Sequence, residues 1–415
     1  MPKTLYICYF GLREPLVQTQ VIPYLKGIAK DGLEVSLLTF EPKLKGSWPK
    51  EQIQDGRRSM NEIGIEWHHL AYHKRPSVPA TLYDIFVGAL KVRKLIIEKK
   101  LDVLHCRVHV PALMASIARK FSGRKPKIIF DIRGFFPEEY TDAGVWPKNG
   151  LIYRIVKRVE KWLLDEADAF VVLTKKARDV LFPESSDSGF DKLGRPVEVI
   201  PCCVDFDSRF SSLEPSKVDA KRHLGIEDRF VVVHLGALGG LYLSNEIANF
   251  LKFSKLHEPR TFAILLTQSD PAEIVSLLKN GGFAESDYLV RRVDPDDVPG
   301  YLRACDVAIS FVKNSFSTLS RSPTKIPEYL ACGVPIVANS GVGDVDQLIT
   351  DKRVGSLIKD FSDQSFLSAL NNIRRMKAEG DLDERCRNAA REGFDLRTTG
   401  RPRYLKLYRR LLDGK

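Results

Sequence analysis

The sequence predicts an α/β protein built from two Rossmann-like domains, and three stretches carry that expectation. The chain opens as strand, helix, strand. An apolar run spans Thr4 to Phe10, a helical pattern runs from about Gln18 to Lys30, and a second apolar run covers Leu33 to Phe40. Such βαβ units build parallel sheets. From Lys217 the pattern restarts, and a strand at Phe230 to Leu235 runs into Gly236-Ala237-Leu238-Gly239-Gly240. Finally, Ser320 to Ile349 reads as a short helix, a buried strand, a small-residue loop and a further helix, another unit of a doubly wound sheet. With 415 residues, 44% hydrophobic and 28% charged, the chain suits two or three globular domains, each with its own core.

In the first half, the loop Gly11-Leu12-Arg13-Glu14-Pro15 follows the first strand, and Asp31-Gly32 stops the first helix. Residues 43–62 are expected to be irregular and basic, and Glu66 to Leu70 to form a strand. Apolar residues at helical spacing predict a helix over Thr81 to Lys99. Asp102 to His105 reads as a strand ending on Cys106-Arg107-Val108-His109, with Pro111 opening the next helix. Lys127 to Phe130 is a strand ending in Asp131-Ile132-Arg133-Gly134. Open α/β sheets bind ligands at the carboxyl ends of their strands. That rule makes His105, Arg107, His109, Asp131 and Arg133 candidate cleft residues. A guanidinium such as Arg133 can meet an anion bidentately, the alternative being an internal Asp131–Arg133 pair. An amphipathic helix at Leu151 to Glu166, with Tyr153, Val156 and Trp162 on its apolar side, and strands at Ala169 to Leu173 and Val197 to Pro201 complete this half. A boundary near Phe206 divides the chain into domains 1–205 and 206–398.

In the second half, Ser244 is expected to cap a helix of about Asn245 to Leu256. Strand, glycine loop and capped helix is a layout for phosphate, which singles out Gly236, Gly239 and Gly240. Strands follow at Thr261 to Leu266, Leu289 to Val293 and Asp306 to Phe311. Asp294-Pro295-Asp296-Asp297 reads as a helix start, and no acidic pattern suits a divalent metal. Thr324 or Ser322 is the expected N-cap of the next helix, with Pro327 in its first turn, Gly333 at its end and Val334 to Ala338 as a buried parallel strand. Lys325 and Glu328, three apart, would share a face near that helix N-terminus, whose free N–H groups and dipole suit a diphosphate. The plainer alternative is a surface Lys–Glu pair. A small edge strand at Arg353 to Leu357 and helices at about Ser365–Lys377 and Leu382–Arg391 lead to a last segment, Thr399 to Leu412. There Tyr404, Leu407, Tyr408 and Leu411 recur at helical spacing.

The string EYLACGVPIVA at 328–338, with Lys325 before it, closely resembles the nucleotide-sugar signature of family 4 glycosyltransferases. The resemblance is sharp over residues 320–345 and loose over most of the chain. It implies the GT-B fold, in which two Rossmann-like domains face each other across a cleft. It also implies transfer of a sugar from a nucleotide-sugar co-substrate to a glycan or lipid-linked acceptor, with retention and without a metal or other cofactor. By the same resemblance, residues 1–205 form the acceptor side, with the 399–415 helix returning to them, and 206–398 form the donor domain. Glu328 would bind the ribose hydroxyls. The loop at Gly11 would approach donor and acceptor, although the family usually has paired glycines there. His109 or Arg107 would supply the sugar contact that family members carry near this strand end. Two departures stand out. The family's sugar-facing Glu, eight residues before Glu328, is Ser320 here, and the Arg and Lys that usually follow the glycine loop are missing from Leu241 to Asn249. Lys325, Arg321 and main-chain N–H groups would then carry the phosphate charge. The departures keep open a catalytically weak binding or scaffold subunit of a glycan-assembly complex. A GT-B epimerase or hydrolase is a further alternative.

The formal net charge is +11. The basic residues are spread through helical segments such as KVRKLIIEKK (91–100) and RIVKRVEKW (154–162), without a nucleic-acid motif. An anionic membrane surface and an anionic substrate are the partners such a charge suits, the plainer alternative for any single cluster being a solvated basic face. Seven cysteines without CxxC spacing, an N-terminus that starts directly as a strand and the lack of a long apolar run predict a cytoplasmic protein with reduced thiols, peripheral at the membrane if it binds there.

Overall fold

The computed structural model of the chain describes residues 1–42, 44, 48–212 and 214–413. Two compact units emerge: Met1–Pro201 together with Gly400–Lys415 (unit 1), and Cys202–Thr399 (unit 2). The division lies at Pro201, a few residues before the boundary expected near Phe206.

Unit 1 holds a seven-stranded sheet of β1 (Lys3–Cys8), β2 (Glu34–Pro42), β3 (Ile65–Tyr72), β4 (Val103–Arg107), β5 (Lys127–Ile132), β6 (Ala169–Val172) and β7 (Val197–Val199). The order is β3-β2-β1-β4-β5-β6-β7, with every pair parallel. All five residues of β4 are buried, including His105 and Arg107, as befits a central parallel strand covered on both faces. Strand order reverses between β1 and β4, where Cys8 lies opposite Arg107, and Arg107 in turn lies opposite Asp131 of β5.

Unit 2 repeats the plan with β8 (Phe230–Leu235), β9 (Thr261–Leu266), β10 (Tyr288–Arg291), β11 (Val307–Ser310), β12 (Ile336–Asn339) and β13 (Gly355–Ile358). Their order is β10-β9-β8-β11-β12-β13, again all parallel, with the reversal between β8 and β11. The core between sheet and helices is aromatic at its centre, where Phe250 packs edge-on against Phe311 and Phe366.

Two local expectations are corrected. Residues 43–62 are not irregular throughout, because a helix spans Lys50–Glu62. Its polar composition hides an inward seam of Ile53, Gly56 and Met60, and a Cβ on Gly56 would meet the Trp67 ring at 2.9 Å. Residues 43 and 45–47 of that stretch lie outside the described residues. The first helix is two, Pro15–Gln20 and Ile22–Lys30, broken at Val21. Pro23 has no N–H to give to a continuous helix. Helix Arg401–Asp413 belongs to unit 1 and packs on it through a polar network. Tyr404 Oη donates to Asp131 at 3.1 Å, while Tyr408 Oη lies 3.0 Å from both His105 Nδ1 and Thr4 Oγ1.

Among the described residues no disulfide joins the seven cysteines, six of which are buried. Among the described residues no helix is long and apolar enough to cross a membrane.

Candidate functional site

In unit 2 the centre of the site is helix Lys325–Ala331, buried along its whole length. Tyr329 fastens it to the carboxyl ends of the two strands at the sheet's reversal point. Its Oη accepts from the Leu235 N–H at 2.7 Å and faces the Ile309 carbonyl at 3.4 Å. The anchor sets Lys325 beside the glycine loop, so that a Cβ on Gly236 would lie 3.5 Å from Lys325 Nζ. Gly236 has φ +114°, a conformation open to glycine and strained for side chains, and Gly239 (+75°) and Gly240 (+64°) have open space where a Cβ would project. Lys325 is 4% exposed, and its Nζ has no hydrogen-bond partner among the described residues. The amine stands 4.4 Å from the Tyr242 ring centroid, a cation–π contact. Burial, with the charge of Arg321 nearby, brings this amine down to about 7, against the opposing pull of Glu328. His234, at the end of β8, is held neutral by burial and by the charge of Lys325.

Glu328, one turn on, is 7% exposed, so the pair is no surface salt bridge. Its Oε1 accepts from Arg209 Nη1 at 3.1 Å, and its Oε2 has no partner among the described residues. Burial pushes this carboxyl up, while Arg209 and Lys325 pull it down. Arg209 is itself fixed by donating Nε and Nη2 to the Pro295 carbonyl. One oxygen is therefore spent on holding the side chain, and the other is available to a ligand hydroxyl.

The capping expectations fail here. Thr324 has helical dihedrals and makes no cap bond, and Ser322 Oγ accepts from the Cys202 N–H at 3.1 Å instead. Ser244 is the first residue of helix Ser244–His257, not its cap, and its Oγ accepts from the Gly239 N–H at 2.9 Å, bracing the glycine loop. Ser320, 2% exposed, ends a short 3-10 turn and donates to the Ser317 carbonyl at 2.7 Å. Arg321 follows it, half-buried.

In unit 1, Arg107 ends β4 at the reversal point and is 3% exposed. Asp131 is fully buried and turned inward, taking contacts from Tyr404 at 3.1 Å, Tyr6 at 3.5 Å and Arg133 Nη1 at 3.4 Å. Burial works against its ionisation, but Arg133, His105 and Arg107 outweigh it and hold the carboxyl well below the usual range. Asp131 thus organises the interior, and a direct acceptor contact is not what its geometry offers. His109 also departs from its expected place at the strand end. Val108 turns the chain at φ +64°, His109 opens helix His109–Phe121, and its Nε2 lies 3.0 Å from Glu160 with the ring stacked on Phe136. Gly11 packs against Glu41 and Pro42 with no room for a Cβ, and Glu41 Oε1 accepts from the next N–H, that of Leu12, at 2.9 Å. Among the described residues no group of three or more His, Cys, Asp or Glu is arranged to hold a metal ion.

Sequence reading found Lys325, Glu328 and the glycines but missed Arg209, Tyr242 and Tyr329 as partners. Arg209 lies 119 residues before Glu328 and no local pattern links them. Tyr329 had a signal, since it sits inside the recognised string, but its hydroxyl bridge needs the fold.

Two family descriptions match the chain: Glycosyltransferase Family 4 over residues 17–208 and Glycosyl transferases group 1 over residues 234–375. No curated protein sequence is significantly similar to it. Solved structures align over its full length. A glycosyltransferase from Rickettsia africae ESF-5 matches with TM-score 0.71 and 14% identity, covering 100% of this chain and 99% of that one. Sucrose-phosphate synthase from Thermosynechococcus elongatus matches with TM-score 0.71 and 15% identity, covering 100% of both. HepE from Anabaena, in complex with UDP and glucose, matches with TM-score 0.69 and 15% identity, covering 98% of this chain and 100% of that one. The chain belongs to the family 4 glycosyltransferases and has the GT-B fold.

Proposed function

We propose that the chain moves a sugar from a nucleotide-sugar donor to a glycan or lipid-linked acceptor, with retention and without a metal. In this reading unit 2 binds the donor and unit 1 the acceptor. The observation that carries it is the buried, unbonded amine of Lys325 against the open glycine loop, with Glu328 one turn on. A buried charge without a partner is costly, and a diphosphate supplies the missing partner. Glu328 offers its Oε2 to the ribose diol while Arg209 fixes its Oε1. Lys325 and the loop N–H groups would stabilise the departing diphosphate, the task that a metal ion performs elsewhere. The UDP and glucose bound by HepE support a donor of the same class.

Calorimetric titration with a panel of nucleoside diphosphates tests the reading, and Glu328→Gln is the informative variant. It keeps the volume and a neutral bond to Arg209 but loses the charged acceptor. Hydrogen bonds to a charged group contribute about 1.5–3 kcal/mol each, so affinity for the best-binding nucleotide should fall about tenfold or more. Donor turnover should persist under exhaustive chelation. Unchanged nucleotide affinity in Glu328→Gln would remove the donor site from this helix, and activity abolished by EDTA and restored by magnesium would overturn the metal-free mechanism.

A further inference from the structure

We propose that unit 1 carries a binding site for a phosphate-type oxyanion, built on the Arg107 guanidinium with Arg133 beside it. The proposal deepens the reading above, on which it rests for which substrate bears the anion. Arg107 is 3% exposed, yet its Nε and Nη1 are buried without a hydrogen-bond partner among the described residues. A guanidinium brings five N–H donors in a fixed fork, and burying that charge unpaired is costly unless something completes it.

The surrounding groups do not complete it. Tyr6, Cys8, Asp131 and Arg133 are the titratable groups around Arg107. Burial keeps the Tyr6 phenol and the Cys8 thiol protonated, the thiol at about 11. His105, on the same strand, is driven towards its neutral form by burial. Asp131 is the single carboxylate, and its oxygens are already engaged by Tyr404, Tyr6 and Arg133.

The position is where a ligand belongs. Arg107 ends β4 at the reversal of strand order, with Cys8 of β1 on one side and Asp131 of β5 on the other. Open α/β sheets take ligands at the carboxyl ends of strands at this reversal. The next residue, Val108, holds φ +64° although β-branched, a strain of the kind that collects at functional sites. It turns the chain directly into the 13-residue helix His109–Phe121, so that helix's first N–H groups begin two residues after Arg107. Lys325 shows the same combination at the β8–β11 reversal of unit 2, with a buried cation and no hydrogen-bond partner. Since unit 1 takes the acceptor in the reading above, the oxyanion is a phosphate on the acceptor.

The test uses the full chain carrying Lys325→Met, so that the unit 2 amine does not contribute. Inorganic phosphate and pyrophosphate are titrated into this protein and into the same protein with Arg107→Met added. The expected result is binding in the first and at least tenfold weaker binding in the second, with the melting temperature in phosphate-free buffer unchanged or raised by loss of the unpaired charge. No binding of either anion at millimolar concentration, or equal binding in the two proteins, overturns the site. If Arg107→Met does not fold, Arg107→Lys replaces it. That variant keeps the charge and loses the fork, so weaker binding supports the site and unchanged binding overturns it. Titration of Arg107→Met with UDP, with Lys325 intact, checks that assignment. Unchanged UDP affinity is expected, and weakened UDP affinity overturns the assignment to the acceptor. Failure of the donor-site reading shows separately, as UDP affinity indifferent to Glu328→Gln while phosphate binding at Arg107 stands.

Discussion

Lys325 turns the geometry of one residue into a pH dependence. Its amine, free near about 10.4 in an unfolded chain, is brought down to about 7 by burial. The unfolded chain therefore holds one more proton than the folded one between those values. Stability contributed by this group rises with pH across that window and is lost as pH falls through the folded value. Diphosphate binding runs the other way, because the anion needs the protonated amine. Affinity for a nucleoside diphosphate should fall as pH rises above about 7, and binding at about pH 8 should take up a proton. Calorimetry in buffers of different ionisation enthalpy reads that uptake directly, and Lys325→Met should abolish it. Equal proton uptake in the variant would place the titrating group elsewhere. The Lys325–Glu328 spacing was legible in the sequence because three residues apart on a helix means one face. The caps were not, since Ser322 spends its hydroxyl on Cys202, which only the folded chain brings near, and Ser244 spends its own on the N–H of Gly239 in the glycine loop before it.

Among the elements, helix Arg401–Asp413 shows how a terminal segment is tied to its unit. Tyr404 and Tyr408 reach a buried polar row of Thr4, His105 and Asp131, where each bond has few substitutes in a low-dielectric interior. Tyr404→Phe leaves an Asp131 oxygen short of a donor. The cost should be about 1–3 kcal/mol, a fall of about 2–4 °C in melting temperature per kcal/mol for a unit of this size. An unchanged melting temperature would show that the row is idle. Because Asp131 is held well below the usual carboxylate range, its contribution is present above the unfolded carboxylate value and is lost as pH falls. The helix was visible in advance through its Tyr404, Leu407, Tyr408 and Leu411 spacing, and most strands were visible as β-branched apolar runs. Helix Lys50–Glu62 was not, because three inward residues in a polar segment give too weak a periodicity to separate from a loop. Its seam exists only once Trp67 of β3 is in place to receive it.

For the molecule as a whole, we propose an anionic lipid surface as a neighbour, on grounds of charge and surface chemistry. Among the described residues, every exposed large apolar side chain except Val218, Leu256 and Phe316 belongs to unit 1. Helix Ser77–Lys99 presents Val78, Leu82, Phe86 and Leu90 outward at four-residue steps, with Ile97 continuing the row. Ile85, Val92 and Ile96 of the same helix are already buried, so the outer stripe is surplus to folding. Exposed Phe121 is brought beside it by the bond from Arg93 Nε to its carbonyl at 2.6 Å. With Arg93 and Lys94 alongside and a net charge of +11, the stripe suits an anionic lipid surface, where a lipid-linked acceptor would reside. Magnitudes separate this from binding by charge alone. Each Lys or Arg near such a surface contributes about 1 kcal/mol, screened by salt. Each large apolar side chain contributes about 1.5–3 kcal/mol when fully buried, and salt does not screen it. In vesicle flotation the chain should therefore bind vesicles containing phosphatidylserine at low salt and keep a reduced but measurable share of that binding at high salt. The triple variant Leu82→Ser, Phe86→Ser, Leu90→Ser should lose the salt-resistant share while retaining nucleotide affinity. Flotation that vanishes with salt in the unaltered chain would leave only the basic charge as the attraction, and absence of binding even at low salt would point to a soluble acceptor.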